Sequence, residues 1–567
     1  MKKIVLFLIV FFSLQAQQNL SIDINHPVYD LLQNAQIRGI INNLSSIKPY
    51  SKKLIVNYLK QIGKSHKLTK YEKEIITKYL DYFVDKKEGW QWGNLGYKDN
   101  KNNSINFGLN VDSSLKDSLN NYKDYYFHNF INFYVQGDLS KFFSYFLSAS
   151  INFARVGFNA FGQYDFTKQW DIFSSDVLEP SGTDGKFKKL PTGLKPAFST
   201  NIGIDLSAYF FENEKNHNID QLGVRVMRYR RDYGSNLASL TLSKTARPFL
   251  GVELMYRPIK EVAFTHMFGS LDNWQKEDRD TDITHQKLFN MQKLEYYPIS
   301  QLYFSLSGAV VSSKKFELGY LVPMLYSMMY QNVIGDWDNV ALEFEVFGII
   351  PYVGKIGLSL FADEFAFSSI YYNVTEMPRS QVAFSVFFQF PIPKAPFSNF
   401  NFQYTYISPF TYTHYPTLYP SSRLPVDTSW NHDNENLGYN LPPNSDEFLF
   451  SFFVYATSKI FLKTTYKFIR HGDSYRPQNE PYLHGDINKY IDYGYVENGN
   501  YPAKSIGKNG IYDYTHTLSF DFNYEFFDIP IIINLNYTFT YTHYDNDLKP
   551  SKINNILGLN LKFFFRY

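Results

Sequence analysis

The residue types that perform covalent chemistry are present in this chain, but not in the spacings such chemistry requires. Twelve histidines are scattered along it, with no HExxH pair to share a metal and no Gly-x-Ser-x-Gly elbow to expose a nucleophile. His266 or His516 could be matched with a nearby serine as an acyl-transfer pair, but each reads better as an isolated polar histidine on a wall. Asp and Glu pairs for glycoside hydrolysis can be assembled from any loop-rich chain, and none here has a distinguishing spacing. There is no cysteine, which removes thiolate metal ligands, disulfides and a lipid anchor on a cleavage-site cysteine. The chain is read as a non-enzyme with no catalytic residue, no metal site and no cofactor.

Two other groups of residues point to binding. Arg225 alternates with Val224 and Val226, and Glu343 and Glu345 alternate with Leu342, Phe344 and Val346. Charges on such segments are tolerable only in water or in ion pairs. They form either a ladder guiding a solute or a brace, with Arg225 expected near Glu343 or Glu345. The second group is aromatic: Trp170-Asp171, Trp274, Trp337-Asp338, Tyr412, His414 and Trp430 with His432. A ring gives sugar C–H groups a flat apolar face, and adjacent acids and amides hydrogen-bond hydroxyls. The same residues could instead pack loops together.

What positions these residues is a long series of strands. Aromatic residues make up 19% of the chain and charged residues 19%, the first high and the second low for a soluble protein. Mean hydropathy is nevertheless negative, and after the first residues no apolar run approaches the roughly 20 needed for a transmembrane helix. From Ile105 onward the apolar period is two. Ile531, Ile533, Leu535, Tyr537 and Phe539 alternate with Ile532, Asn534, Asn536, Thr538 and Thr540. One greasy and one polar face is what lipid outside and water inside demand. Candidate strands fall near 104, 125, 141, 197, 219, 249, 259, 286, 300, 339, 354, 380, 398, 446, 458, 513, 530 and 553. Tight joins such as Arg257–Lys260 and Tyr297–Ser300 alternate with long ones such as Arg155–Pro196, Pro409–Ser445 and His471–Tyr512. The expectation is a transmembrane antiparallel β-barrel of about 18 strands, with both chain ends on the short-turn side.

Ahead of the barrel the period is helical. Pro27 can open a helix whose stripe is Val28, Leu31, Leu32 and Ala35, stopped by Gly39. Ser51 can cap a second, with Ile55, Tyr58, Leu59 and Ile62, ended by Gly63. Thr69 and Glu72 form a capping box for a third, with Ile76, Tyr79, Leu80 and Phe83. Lys2, Lys3 and the apolar run Ile4–Leu14 read as a secretory signal cleaved after Ala16. The divisions are a signal peptide over 1–16, a periplasmic helical bundle over 17–88, a linker over 89–100 and an outer-membrane barrel over 101–567. The terminal alternation through Phe563, Phe565 and Tyr567 resembles the signal read by the barrel-assembly machinery.

Several segments resemble the capsule-assembly Wzi family of outer-membrane proteins. They are His26-Pro27-Val28-Tyr29-Asp30-Leu31-Leu32, Arg38-Gly39-Ile40-Ile41, Lys48-Pro49-Tyr50-Ser51, Arg230-Arg231-Asp232-Tyr233-Gly234, Leu240-Thr241-Leu242-Ser243, Trp337-Asp338-Asn339, Phe361-Ala362-Asp363-Glu364, Tyr412-Thr413-His414, Leu437-Gly438-Tyr439 and Pro443-Asn444-Ser445-Asp446-Glu447. The resemblance implies an eighteen-stranded barrel with a periplasmic bundle, and a role in binding or organising surface polysaccharide at the cell exterior. A porin-like diffusion channel for sugars or other small solutes is the alternative, since a barrel of this size can leave an aqueous path. Expected partners are outer-membrane lipid, surface polysaccharide and the barrel-assembly machinery. A net charge of +2 with mixed signs gives no reason for nucleic acid, and a monomer is expected.

Overall fold

The computed structural model describes residues 19–563 except 84–88, 92–93, 100–102, 121–124, 157–176, 179–196, 214–218, 272–286, 314–316, 323–328, 331–332, 334–337, 364–380, 415–427, 433–434, 473–511, 527–528 and 546–549. The signal segment, Trp170, Asp171, Trp274, Trp337, Phe565 and Tyr567 lie outside the described residues. The barrel strands, numbered in chain order, are β1 Ser104–Ser118, β2 Tyr125–Leu139, β3 Phe143–Val156, β4 Ala197–Asn213, β5 Ile219–Tyr229 and β6 Phe249–Ile259. Next come β7 Val262–Leu271, β8 Lys287–Ile299, β9 Leu302–Ser313, β10 Asn339–Ile350, β11 Gly354–Asp363 and β12 Gln381–Pro391. The last six are β13 Asn399–Ile407, β14 Ser445–Tyr455, β15 Ile460–Gly472, β16 Tyr512–Phe526, β17 Ile531–Tyr544 and β18 Lys552–Phe563. Each consecutive pair is antiparallel, and β18 closes on β1 with Leu559 opposite Leu115 and Phe563 opposite Val111. The largest offset from the expected positions is at β7, expected near 259 and starting at Val262.

The alternation read from the sequence is the two faces of the wall. Along β10 the burial runs buried, partial, buried, partial through Asn339–Ile350, and along β12 and β13 the same rhythm repeats. The exposed side is apolar: Phe133, Ile202, Val252, Phe344, Leu360 and Leu535 are each 40% exposed or more. The buried side is polar: Asn399, Gln403 and Thr405 are wholly covered. A water-soluble sandwich has the opposite arrangement. This wall is built for an apolar surround.

The helices are α1 Val28–Ile37, α2 Lys52–Gly63 and α3 Lys70–Phe83. Their stripes bury against one another and against the short-turn end of the barrel, where Phe397, Phe453, Tyr455 and Phe461 join the same core. Each fully buried aliphatic side chain stabilises by roughly 1.5–3 kcal/mol. Ser51 Oγ accepts from the Leu54 amide at 3.3 Å, and Thr69 Oγ1 accepts from the Glu72 amide at 3.2 Å while Glu72 accepts in return from the Thr69 amide at 2.9 Å. Gly39, at φ +65°, lets the chain turn back past Pro351, which a Cβ would meet at 3.1 Å. Docking to the turns is polar as well. Asn34 donates to Ser398 O at 2.9 Å, and the Tyr352 amide donates to Ile37 O at 3.2 Å.

Glu72 ties these pieces together, accepting from the Arg38 guanidinium at 2.5 Å and from the Phe397 amide at 3.4 Å. Burial pushes its carboxyl up, but Arg38 and the Thr69 amide outweigh burial and hold it below the usual carboxylate range. A depressed folded value means the stabilisation is present at neutral pH and is lost as pH falls through that value. Glu72→Ala is expected to weaken bundle docking by about 1–3 kcal/mol. Limited proteolysis should then cut the helices faster while the barrel keeps its unheated gel mobility. Unchanged cleavage would show that Glu72 does not hold the bundle.

Candidate functional site

Inside the barrel the wall carboxylates face two inserted segments. One follows α1 and enters from the short-turn end. The other is the join between β5 and β6, residues 230–248, which enters from the long-loop end. Ile47–Lys48 of the first pairs with Asp232–Tyr233 of the second as an antiparallel ladder within the lumen. Backbone amides of both are satisfied by acidic side chains of the wall. Ser46 N donates to Glu295 at 2.8 Å, Ser235 N to Glu345 at 2.8 Å and Leu240 N to Glu343 at 3.3 Å, and ahead of α1 Ser21 N donates to Asp205 at 2.7 Å in the same way. A hydrogen bond to an ionised acceptor is worth about twice a neutral one.

Arg225, Glu343 and Glu345 all point inward and are essentially unexposed. The expected pairing of Arg225 with Glu343 or Glu345 is corrected. Arg225 Nε donates to Glu253 at 2.9 Å, from the position directly opposite on β6, and Arg231 Nε donates to the same carboxylate at 2.5 Å. Arg225 also donates to Pro49 O at 2.7 Å, so its guanidinium joins the wall to the first inserted segment. Glu345 is paired instead with Lys293, whose ammonium also donates to Tyr233 O at 2.6 Å. Glu343 accepts from Thr241 Oγ1 at 2.6 Å. These charges brace the inserted segments rather than line a solute ladder.

The loop aromatics are also corrected. Trp430 and Tyr412 have no exposed surface, and His414 and His432 are buried. Trp430 Nε1 donates to Thr241 O at 2.8 Å, and its ring meets Phe289 and Phe361 edge-on at 5.4 and 6.0 Å. Tyr412 stands at φ 74°, with its hydroxyl donating to Leu240 O at 2.7 Å and its amide to Asp363 at 2.7 Å. His414 Nδ1 lies 2.8 Å from Thr428 Oγ1, and His432 packs on Phe249 at 5.7 Å. A ring with no free face cannot stack on a sugar. Trp430 and Tyr412 clamp the join between β13 and β14 onto the inserted loop, and Asp338 accepts from Tyr320 OH at 2.8 Å. The two histidines imagined as catalytic sit elsewhere: His266 Nε2 is 2.8 Å from Asn290 Nδ2, and His516 Nδ1 is 2.9 Å from Tyr466 OH.

The inserted loop was not recognised as such from sequence. A signal existed. Met267, Phe289, Met291 and Phe361 occupy inward positions where the polar parity should run, and all are covered by the loop and Trp430. Across the lumen the packing differs. The inward lysines of β15 and β18 keep a third of their surface: Lys467, 34% exposed, pairs with Glu447 at 3.0 Å, and Lys562, 33% exposed, with Asp112 at 3.8 Å. One half of the barrel is filled and dry, the other lined with half-exposed polar groups.

No protein-family model and no curated protein sequence matches the chain. Among solved structures it is similar to Wzi of Escherichia coli, described as an outer-membrane protein involved in group 1 capsule assembly and a carbohydrate-binding β-barrel. That likeness has a TM-score of 0.55 at 9% identity and covers 98% of this chain and 100% of that one. A BenF-like porin of Pseudomonas fluorescens follows with TM-score 0.43, 9% identity, and 82% and 99% coverage. OprD of Pseudomonas aeruginosa gives 0.41, 10% identity, and 81% and 94% coverage. The likeness to Wzi is one of fold, and it spans bundle and barrel alike.

Glu253 holds two buried guanidinium groups, so its loss leaves two uncompensated cations, whereas loss of Arg225 leaves Glu253 still paired. Glu253→Ala should cost about 3–5 kcal/mol and Arg225→Ala distinctly less. In urea unfolding of the refolded barrel, a double-mutant cycle should couple Arg225 to Glu253 by more than about 1 kcal/mol and to Glu343 hardly at all. Coupling to Glu343 as strong as to Glu253 would refute the assignment.

Proposed function

We propose that the protein is a bacterial outer-membrane barrel that binds or organises surface polysaccharide, capsular polysaccharide above all, at the cell exterior, with its helical bundle in the periplasm. The observation that carries this reading is the meeting of two inserted segments at Ile47–Lys48 and Asp232–Tyr233 inside the lumen. A barrel filled from both ends across half its width offers its long loops, not its interior, as the working surface. The fold likeness to a carbohydrate-binding barrel agrees with it. With Trp430 and Tyr412 committed to packing, the sugar platforms fall to Trp170 with Asp171, Trp274 and Trp337. A polymer presents many repeats, so several weak sites add through avidity without a deep pocket.

The channel reading draws on one observation, the half-exposed inward face of β15 to β18. Trp170→Ala with Trp274→Ala should release polysaccharide from intact cells while the amount of folded barrel stays the same. Trp430→Ala should instead lower the folded amount, by a cavity cost of about 3–5 kcal/mol. The reconstituted protein should show little single-channel conductance. Unchanged polysaccharide retention together with clear sugar or ion conductance would replace this function by the channel.

Assembly is assigned to the terminal strand, in which Leu559, Leu561 and Phe563 lie on the outward face of β18. Deleting residues 565–567 should leave the chain aggregated or degraded in the periplasm. Normal outer-membrane yield would remove that role from the terminus.

A further inference from the structure

Where α1, the segment after it and the inserted loop come together lies a cavity of about 140 Å³, against the roughly 10–15 Å³ that one water needs. Four lysines line it, Lys48, Lys244, Lys355 and Lys463, with two carboxylates, Asp30 and Asp232. Both carboxylates are taken: Lys48 lies 3.2 Å from Asp232 and Lys463 lies 3.5 Å from Asp30. Lys355 and Lys244 have no carboxylate in ion-pair range among the described residues.

Lys355 is the telling one. It is 5% exposed, and its ammonium donates to Ser235 O at 3.1 Å and lies 3.8 Å from the centre of the Phe347 ring. A carbonyl and an aromatic face use part of its donor capacity and supply no counter-charge, although a buried ammonium needs one. Beside it Asn236, 1% exposed, lines the same cavity with both its amide nitrogen and its amide oxygen lacking any hydrogen-bond partner. A donor left unsatisfied in a polar cavity beside a cation with no carboxylate in ion-pair range calls for an acceptor with negative charge and several oxygens. The mouth is on the bundle side, where Asn25 is exposed and Lys463 and Asp30 are 31% and 25% exposed.

We propose that this cavity is a binding site for a small oxyanion, a phosphate or a carboxylate, held between Lys355 and the Asn236 amide. The site is separate from the long loops and does not rest on the polysaccharide reading. Its ligand is either free phosphate or the carboxylate of an acidic sugar reaching it from the bundle side.

The test is thermal unfolding of the full chain refolded in detergent, at constant ionic strength, against inorganic phosphate, glucuronate and glucose. A ligand that binds only the folded state raises Tm saturably, so phosphate, glucuronate or both should do so and glucose should not. A response to phosphate alone assigns the free ion, and one to glucuronate alone assigns an acidic sugar. Lys355→Met removes a buried unpaired cation, so its Tm without ligand should not fall, while its affinity for the anion should drop at least about tenfold. Asn236→Leu, which removes the other donor, should lose affinity as well, and Lys467→Met, whose lysine lies in the lumen outside the cavity lining, should keep it. The proposal is overturned if neither anion gives a saturable shift, if glucose matches them, or if the shift survives in Lys355→Met.

Discussion

Backbone amides taken into the middle of a barrel lose water and must find acceptors, and in this protein the wall supplies them as acidic side chains. Asp205, Glu295, Glu343, Glu345 and Asp363 each accept an amide of a segment that is not part of the wall. The rest of the interior follows from that constraint. A carboxylate buried for this purpose needs its own charge balanced, which is the place of Lys293 beside Glu345, and a further buried carboxylate, Glu253, holds Arg225 and Arg231. The cations in turn donate to carbonyls of the inserted chain, Lys293 to Tyr233 and Arg225 to Pro49. Wall and insert are thus one hydrogen-bonded unit. Removing any inner member exposes the others to a desolvation penalty larger than the pair itself is worth.

The same arrangement explains why the two halves of the barrel differ. Strands β4 to β14 carry the acidic acceptors and, near the long-loop end, inward apolar residues such as Met267, Phe289 and Phe361. The inserted loop buries that patch with Leu240 and Leu242, and Trp430 and Tyr412 close over it through Thr241 O and Leu240 O. Gly438 fits there because Leu240 O and the Tyr412 ring occupy the space a Cβ would need. Strands β15 to β18 have no such patch. Apart from Ile469, which packs on its edge, their inward residues are mostly Thr, Ser, Asn, Asp and Lys, joined by short polar contacts such as Asn536 to Asp521 at 2.7 Å, and water suits them better than a plug.

Much of this was legible in the sequence because it is periodic. Alternation along Ile531–Tyr541 and the capping pair Thr69 and Glu72 are local signals, and local signals survive without knowledge of what lies across the fold. That Arg225 faces inward is readable from the same alternation. Its partner is not, because choosing Glu253 over Glu343 requires the strand register, which a slip of two residues would change without disturbing the pattern. The loop aromatics failed for a different reason. Trp430 and Tyr412 look like exposed sugar platforms only if the loop beneath them is elsewhere, and that loop, residues 230–248, carries Ser, Asn and Thr like any surface turn. Its inward course is written in the wall, in the apolar residues on the polar parity of β7, β8 and β11.

The contact between the inserted segments has one more consequence. Ile47–Lys48 follows directly on the loop that anchors α1 to the barrel turns, while Asp232–Tyr233 begins the loop on which Trp430 and Tyr412 sit. Tyr50 packs on Tyr29 of α1 with ring centres 5.2 Å apart, and the Tyr50 amide donates to the Tyr29 hydroxyl at 2.9 Å, so the pairing strand is fixed to the bundle. At the other side the Tyr233 amide donates to Leu242 O at 2.9 Å, fixing its partner to the clamp. A continuous run of packed and hydrogen-bonded groups therefore joins the helices at one end of the barrel to the loop aromatics at the other. Because the run is made of buried hydrogen bonds and packed rings rather than solvent-exposed ion pairs, salt screens it little. Displacing the bundle would strip acceptors from the inserted loop and release Trp430 from its seat, so the surface that faces outward depends on helices packed against the opposite rim.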